Sequence, residues 1–316
     1  MGDQEQDPRF PPGTGLEGAT PLEVHTHAPI LPPSFGAPPH VQSDLFPSTP
    51  SAPTIPIDLN VPWSWGDLVV FLLFYFGCTT VFSIVVVFGA AAVMHIGINS
   101  LINTCKILFV SLSIVAQGMA SLSSILYLRI LAYVRGAASP RQPGEGPWQL
   151  LGWRSLGNLP SRGAVVFKYV AGGIGLAFAV SIVSEFVGQR RKVPFEDLFQ
   201  SRQTVLMLMA FGILLAPVVE EMMFRGFLYP VVARRFGIAT GIMTTGILFG
   251  AFHAMQLWGA WEQIALLGLV GIVLTWVRAR SHTIVASYII HVAYNSTLFA
   301  GVILATHGLS KFPTGN

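Results

Sequence analysis

Long apolar segments fill this sequence from about residue 68 to residue 305, and they constrain its fold more than any other feature. A membrane-spanning helix needs about 20 apolar residues, because the hydrocarbon core is about 30 Å thick and a helix rises about 1.5 Å per residue. Only 10% of the 316 residues are charged, whereas soluble domains contain about 25%. The sequence therefore predicts an all-α membrane protein. Its net charge of +3 is modest and does not indicate nucleic-acid binding.

The segments predict a polytopic bundle of about seven transmembrane helices. They cover residues 68–93, 107–134, 164–187, 204–234, 238–255, 264–277 and 284–305. Arginines are concentrated in the loops after the second, fourth and sixth segments, and positively charged loops tend to stay in the cytoplasm. The basic stretch at 190–192 falls on the other face and argues against this orientation. On balance we expect a cytoplasmic N-terminus and a location in the cell (inner) membrane.

Residues 1–62 have a different composition, because they hold 14 of the 22 prolines together with many Gly, Ser and Thr residues. Such a segment has too few apolar residues to form a packed core, and its composition predicts a disordered tail. The prolines suit a cytoplasmic SH3-like partner. Proline-rich matches of this kind are common by chance, so a plain flexible tail is the simpler interpretation.

Ionisable and amide side chains interrupt three of the predicted spans. Charged groups at bilayer depth cost several kcal/mol, so an intramembrane cluster of them is by default a hypothesis for a functional site. The three motifs are Glu220-Glu221-x-x-x-Arg225 in the fourth span, Phe249-x-x-x-His253 in the fifth, and His291-x-x-x-Asn295 in the seventh.

Helix geometry predicts that these side chains lie in one layer of the membrane. Glu220 precedes the expected turn at Gly237 by 17 residues, and His253 follows it by 16. At 1.5 Å per residue, both lie about 25 Å along antiparallel neighbours. His291 and Asn295 lie about 14 and 20 Å beyond the next turn on the same side, one helical turn apart. Three spans thus direct polar groups towards a common depth.

The two glutamates of the first motif have different expected roles. Glu221 and Arg225 are four residues apart and can pair along the helix, so we expect them to support the site. Glu220 points about 100° away and lacks that partner. A desolvated carboxylate without a paired cation can accept a proton from water, which makes Glu220 the candidate catalytic base. Pro217 removes a helical hydrogen bond nearby, which can bend the span and admit water.

Together, the three motifs resemble those of the CPBP family, the CAAX protease and bacteriocin-processing (Abi) proteins. The local context, Ala216-Pro217 before the glutamate pair and residues 225–230 after it, is similar as well. The resemblance covers about residues 145–305. It implies an intramembrane endopeptidase that hydrolyses a peptide bond near the terminus of a membrane-associated protein, with a lipidated CAAX-like tail or a sorting signal as candidate substrate.

The resemblance also implies roles for individual residues. Glu220 and His253 would activate water, while His291 and Asn295 would hold the oxyanion of the tetrahedral intermediate. If a divalent metal such as zinc is bound, Glu220, His253 and His291 would be its ligands. The chain has no H-E-x-x-H helix, and the sequence therefore leaves metal dependence open.

Two other functions compete with the peptidase. A catalytically idle immunity or scaffold protein could use the same fold. A proton-coupled transporter could also use intramembrane Glu and His, but it would predict repeats or broken helices, which the sequence does not indicate. For the peptidase, we divide the chain into a tail (1–62), two N-terminal transmembrane helices with their loop (63–144), and a CPBP-like catalytic membrane core (145–316).

Overall fold

The computed structural model describes residues 56–138, 145–156, 162–187, 198–199 and 201–310. Within these ranges the fold is all-helical, without a β-strand, as predicted. The first 55 residues of the predicted tail and the basic stretch at 190–192 lie outside the described part of the chain. The predicted binding of a cytoplasmic partner by the tail therefore stays a prediction.

Six of the described helices are long and apolar enough to cross a membrane, and a seventh apolar helix has 15 residues. This count agrees in outline with the predicted seven spans. Two short helices between the spans were not predicted. In chain order the helices are α1 (Trp65–Val93), α2 (Ile98–Asn103), α3 (Lys106–Ala137), α4 (Pro147–Leu150), α5 (Arg162–Val187), α6 (Arg202–Phe236), α7 (Ile238–Phe252), α8 (Trp261–Ser281) and α9 (Ile284–Ala305).

Helix α6 carries the first motif and is not a uniform α-helix. It contains two π-helical stretches, Phe211–Leu215 and Glu221–Leu228, on either side of the α-helical residues Ala216–Glu220. Pro217 lies between them and has no backbone N–H to donate. The widened turn before it is visible in the bond from the Ala216 N–H to the Phe211 carbonyl, five residues back. Such π-turns often occur at functional sites.

Glycines hold α7 against α8 in backbone contact. A Cβ atom added at Gly250 would lie 2.7 Å from the backbone nitrogen of Gly268, and one at Gly271 would lie 2.8 Å from the Gly246 carbonyl oxygen. Small residues allow this close approach between membrane helices. The end of α7, where His253 follows, is therefore fixed against the start of α8.

One buried hydrophobic cluster joins the N-terminal helices to the predicted catalytic core. Phe71 of α1 and Leu128 of α3 pack in the same cluster as Phe227 of α6 and Phe249 of α7. Trp63 also belongs to it, and its indole N–H donates to the Phe227 carbonyl at 3.1 Å. Residues 63–144 and 145–316 therefore share a core, although the sequence divides them into separate regions.

The last residues of the predicted tail pack on the helices instead of extending from them. Leu59 and Val61 are 3% and 5% exposed. Asp58 accepts hydrogen bonds from Arg278 at 2.7 Å and from His282 at 3.0 Å. Burial alone raises the pKa of Asp58, but the Arg278 guanidinium and then His282 outweigh it and hold this pKa below its ordinary value. Residues 58, 59 and 61 thus contact the helices, and the predicted boundary at residue 62 stays a prediction.

Candidate active site

Glu220 faces a cavity of about 850 Å³ that lies among the transmembrane helices. His253, His291 and Asn295 line the same cavity, so the structure brings together the four residues predicted to act in catalysis. The Glu220 side chain is 16% exposed and Glu221 is fully buried. The two adjacent carboxylates of α6 thus point into different surroundings.

Both histidines direct the same ring nitrogen towards Glu220. The His253 Nε2 atom is 4.0 Å from one carboxylate oxygen, and the His291 Nε2 atom is 3.5 Å from the other. Their Nδ1 atoms lie 2.8 Å from the Phe249 carbonyl oxygen and 3.0 Å from the Glu221 carboxylate. Because these oxygens can only accept, each Nδ1 carries a proton and donates it. This fixes the orientation of both rings around Glu220.

The Glu221–Arg225 pair is fully buried and each of its charges has several partners. Arg225 donates to Glu221 at 3.0 Å, to the Gly271 carbonyl at 3.1 Å and to the Thr275 hydroxyl at 3.3 Å. The second oxygen of Glu221 accepts from the Ser287 hydroxyl at 2.6 Å. A buried ion pair is tolerated when its remaining hydrogen-bonding groups are satisfied, and this pair meets that condition.

The Phe249 ring contacts both the buried ion pair and the two histidines. The Arg225 guanidinium is 4.5 Å from the centroid of the ring, a distance suited to a cation–π contact. The ring centroids of His253 and His291 are 5.0 and 5.8 Å away. Phe249 therefore packs against the guanidinium and both imidazoles.

Asn295 is anchored to the backbone of α6. Its side-chain amide donates to the Gly212 carbonyl at 2.7 Å. In the widened turn of α6 this carbonyl would bond to the N–H of residue 217, but Pro217 has none. Asn295 thus satisfies an acceptor that the proline leaves without a helical donor. The amide carries a second hydrogen, which stays available at the cavity.

Sequence reasoning missed several residues at this site. Ser287, which binds Glu221, lies one turn before His291 and could have been found as a hydroxyl on the same helix face. Tyr75 of α1 and Gln117 of α3 also line the cavity, and Gln117 donates to the Tyr75 hydroxyl at 3.0 Å. A glutamine inside an apolar span was the available signal for this pair.

The zinc ligands implied by the family resemblance are Glu220, His253 and His291, and their role as metal ligands stays a prediction. Among the described residues, no group of three or more His, Cys, Asp and Glu side chains is arranged as a metal site. We assign no step of the reaction to a metal.

Comparison with known families adds a decisive observation. Residues 202–297 match the family model described as type II CAAX prenyl endopeptidase Rce1-like. We call residues 202–297 the Rce1-like segment because they are similar to this family. The match confirms the family resemblance predicted from the motifs, and it covers just under a third of the chain. No curated protein and no solved structure matches the chain.

The Rce1-like segment begins at α6 and ends within α9, so it contains the three motifs. Its family name denotes CAAX endopeptidases, a class of proteases. Together with the six long apolar helices, this match indicates an integral membrane protein with a segment similar to a protease family. Helices α1, α3 and α5 lie outside the Rce1-like segment.

Proposed function

We propose that the protein is an intramembrane endopeptidase that cleaves a membrane-associated protein near its terminus. The observation that carries this proposal is the Glu220 carboxylate, which faces the Nε2 atoms of two oriented imidazoles in a cavity between transmembrane helices. An accessible carboxylate beside a hydrogen-bond acceptor is suited to hold and deprotonate water. The Rce1-like family of the surrounding segment supports the same reaction class.

In the first step, a water molecule binds between Glu220 and His253. It donates one hydrogen to the Glu220 carboxylate and the other to the His253 Nε2 atom, which the bond from Nδ1 to Phe249 leaves as an acceptor. Glu220 takes the proton as the water oxygen attacks the carbonyl carbon of the substrate. The product of this step is a tetrahedral intermediate with a negatively charged oxygen.

In the second step, the oxyanion is stabilised and the peptide bond breaks. The free amide hydrogen of Asn295 donates to the oxyanion, as does His291 when it carries a proton on both ring nitrogens. Its Nδ1–H keeps the bond to Glu221 in that state. Glu220 then returns its proton to the leaving nitrogen as the C–N bond breaks. The products are a carboxylic acid and an amine, and Glu220 is ready for another water.

The side chains that line the cavity also favour one class of substrate. Most of its lining is apolar, with side chains such as Leu208, Phe211, Leu266, Val270 and Leu298. Such a surface favours a substrate that is held in or on the bilayer, including a lipidated CAAX-like tail or a hydrophobic sorting signal. For the orientation, we propose a cytoplasmic N-terminus in the cell (inner) membrane, supported by the arginines in alternate loops.

The test compares protein termini in membranes of cells that carry the natural chain or Glu220→Gln. The substitution keeps the size of the side chain and removes the base. Glu262→Gln is the matched control, because it makes the same chemical change at the start of α8, outside the residues that line the cavity. We expect specific cleaved termini to disappear only with Glu220→Gln at equal protein levels.

Termini that persist unchanged in Glu220→Gln would contradict catalysis by this residue. The idle immunity or scaffold protein would then be the better interpretation. Ion-coupled uptake in vesicles that contain the natural chain would instead support the transporter.

A further inference from the structure

The wall of the cavity built by α1 and α3 contains polar groups, although both helices are long apolar spans. Tyr75 and Gln117 are hydrogen-bonded to each other there. Ser113 and Ser121 lie one turn before and after Gln117 and line the same cavity. Polar side chains within a membrane usually face a protein interior or a water-filled cavity, where they have a function.

The Tyr75–Gln117 pair retains hydrogen-bonding groups that a ligand could use. The Tyr75 oxygen accepts from the Gln117 amide, so the hydroxyl hydrogen is directed elsewhere. The amide oxygen of Gln117 accepts no hydrogen bond from the residues that the structure describes. The Ser113 hydroxyl differs, because it donates to the Phe109 carbonyl of its own helix. The Thr79 side chain lies beside the Tyr75 hydroxyl, so a ligand would compete with Thr79 for the hydroxyl hydrogen. With that hydrogen and the Gln117 amide oxygen, the pair offers one donor and one acceptor, the complement of a peptide group.

The pair lies close to the reacting groups. Tyr75 is a lining residue of the cavity that contains Glu220, and its ring centroid is 5.4 Å from that of Phe252, the neighbour of His253. The bond between Tyr75 and Gln117 could simply join α1 to α3. These helices already share the buried cluster that includes Phe71 and Leu128, so their association does not depend on a polar bond at the cavity wall.

We infer that Tyr75 and Gln117 bind a peptide group of the substrate next to the scissile bond. The Tyr75 hydroxyl donates to the carbonyl oxygen of that group, and the Gln117 amide oxygen accepts from its N–H. This inference rests on the proposed peptidase function and adds a substrate-binding element from outside the Rce1-like segment. The first two long helices then help to select the substrate in addition to supporting the catalytic core.

The experiment measures kcat and KM of the purified, full-length protein in nanodiscs. The probes are a fluorogenic peptide with an S-farnesyl cysteine followed by three residues, and peptides in which each backbone N–H in turn is replaced by an ester oxygen. The variants are Tyr75→Phe and Gln117→Met. Ser124→Ala is the matched control on α3, because its hydroxyl bonds only to the Ala120 carbonyl and does not line the cavity.

For either variant we expect KM to rise roughly three- to tenfold, the effect of one lost hydrogen bond, with kcat and the thermal midpoint nearly unchanged. The ester peptide that lacks the N–H bound by Gln117 should have the same KM with the natural chain and with Gln117→Met, because neither can form that hydrogen bond. Ser124→Ala should match the natural chain with every probe.

The outcomes separate this inference from the proposed function. If the natural chain cleaves the probe and neither variant changes KM, the inference is wrong and the peptidase function stands. A lower thermal midpoint with unchanged KM would show a bond that only joins the helices, and would also overturn it. If the natural chain cleaves no probe and Glu220→Gln removes no termini in cells, the proposed function fails and the inference fails with it.

Discussion

Glu220 and Glu221 are neighbours in sequence, yet the structure places them in opposite environments. Glu221 is fully buried and binds Arg225, Ser287 and His291. Glu220 is 16% exposed at a cavity, where the Nε2 atoms of His253 and His291 face it. Adjacent residues on a helix point about 100° apart, which is enough to separate a sealed face from an open one. An intramembrane charge can therefore serve either stability or chemistry, and its partners show which.

The difference follows from what each carboxylate needs. A charge excluded from water requires a counter-ion and satisfied hydrogen bonds, or it strongly destabilises the fold. A general base requires the reverse, an oxygen that no cation occupies and that water can reach. The two faces of α6 meet these separate needs within one helical turn. A substitution on one face should therefore change either activity or stability, and leave the other nearly unchanged.

The largest expected effect is on the open face. Glu220→Gln should lower kcat by about 10²- to 10⁴-fold, the usual range for loss of a general base. The free energy of unfolding should change by no more than about 0.5 kcal/mol, because no buried ion pair is broken. Steady-state kinetics and a detergent denaturation titration of the same preparation check both values. A large loss of stability would contradict the separate roles of the two glutamates, because Glu220 would then also support the fold.

The sealed face should respond in the opposite way. Arg225→Met removes the counter-ion of a fully buried carboxylate, and we expect the free energy of unfolding to fall by about 3–5 kcal/mol. Arg280→Met is the matched control, since Arg280 is exposed at the end of α8. The same titration measures both variants. An equal, small effect of the two substitutions would contradict the role given to the buried pair.

Asn295 lines the cavity on the open face, and a double-mutant cycle tests its bond to α6. Asn295→Leu leaves the Gly212 carbonyl without its donor, which should cost about 1–3 kcal/mol of unfolding free energy. Pro217→Ala restores a backbone N–H nearby, so the same change should cost less in that background. Denaturation of the four proteins gives the coupling. If the cost is equal in both backgrounds, Asn295 does not compensate for the proline.

The smallest expected effect lies outside the spans, at Asp58. Asp58→Asn should cost about 1–2 kcal/mol near neutral pH, because the amide oxygen still accepts from Arg278. Because the folded pKa of Asp58 is below its ordinary value of 3.8, its contribution is complete above that pH and is lost as the pH falls through the folded pKa. Thermal midpoints of both proteins, measured from neutral to acidic pH, should therefore converge in acid. A constant difference across the range would show that the charge is not responsible.

The positions of the long helices were largely predictable, because apolar length is a local signal. The seventh segment was predicted at 284–305 and forms α9 over the same residues. The sixth was predicted to end at residue 277, whereas α8 continues to Ser281. From the sequence, Arg278 was assigned to the loop after this segment. In the structure its charge is neutralised by Asp58, so the helix continues past it.

The site was predictable where its residues repeat with helical spacing, and not where it depends on distant contacts. Motif spacing and helix rise led to Glu220, His253 and His291. The structure places the Nε2 atoms of the two histidines 4.0 and 3.5 Å from the Glu220 carboxylate. The bond from Asn295 to Gly212 spans 83 residues of sequence, and the bond from Arg278 to Asp58 spans 220. No periodic pattern signals such pairs, because each depends on how whole helices pack.

The length of α7 has a consequence for the surrounding bilayer. A helix of 15 residues rises about 22 Å, which is less than the roughly 30 Å hydrocarbon thickness of a typical bilayer. Lipids relieve such a mismatch by thinning around the short helix. A thinner layer at the end of α7 shortens the path from bulk solvent to His253 and Glu220. A helix that ends just before the first histidine would in this way favour the supply of water, the second substrate of the proposed hydrolysis.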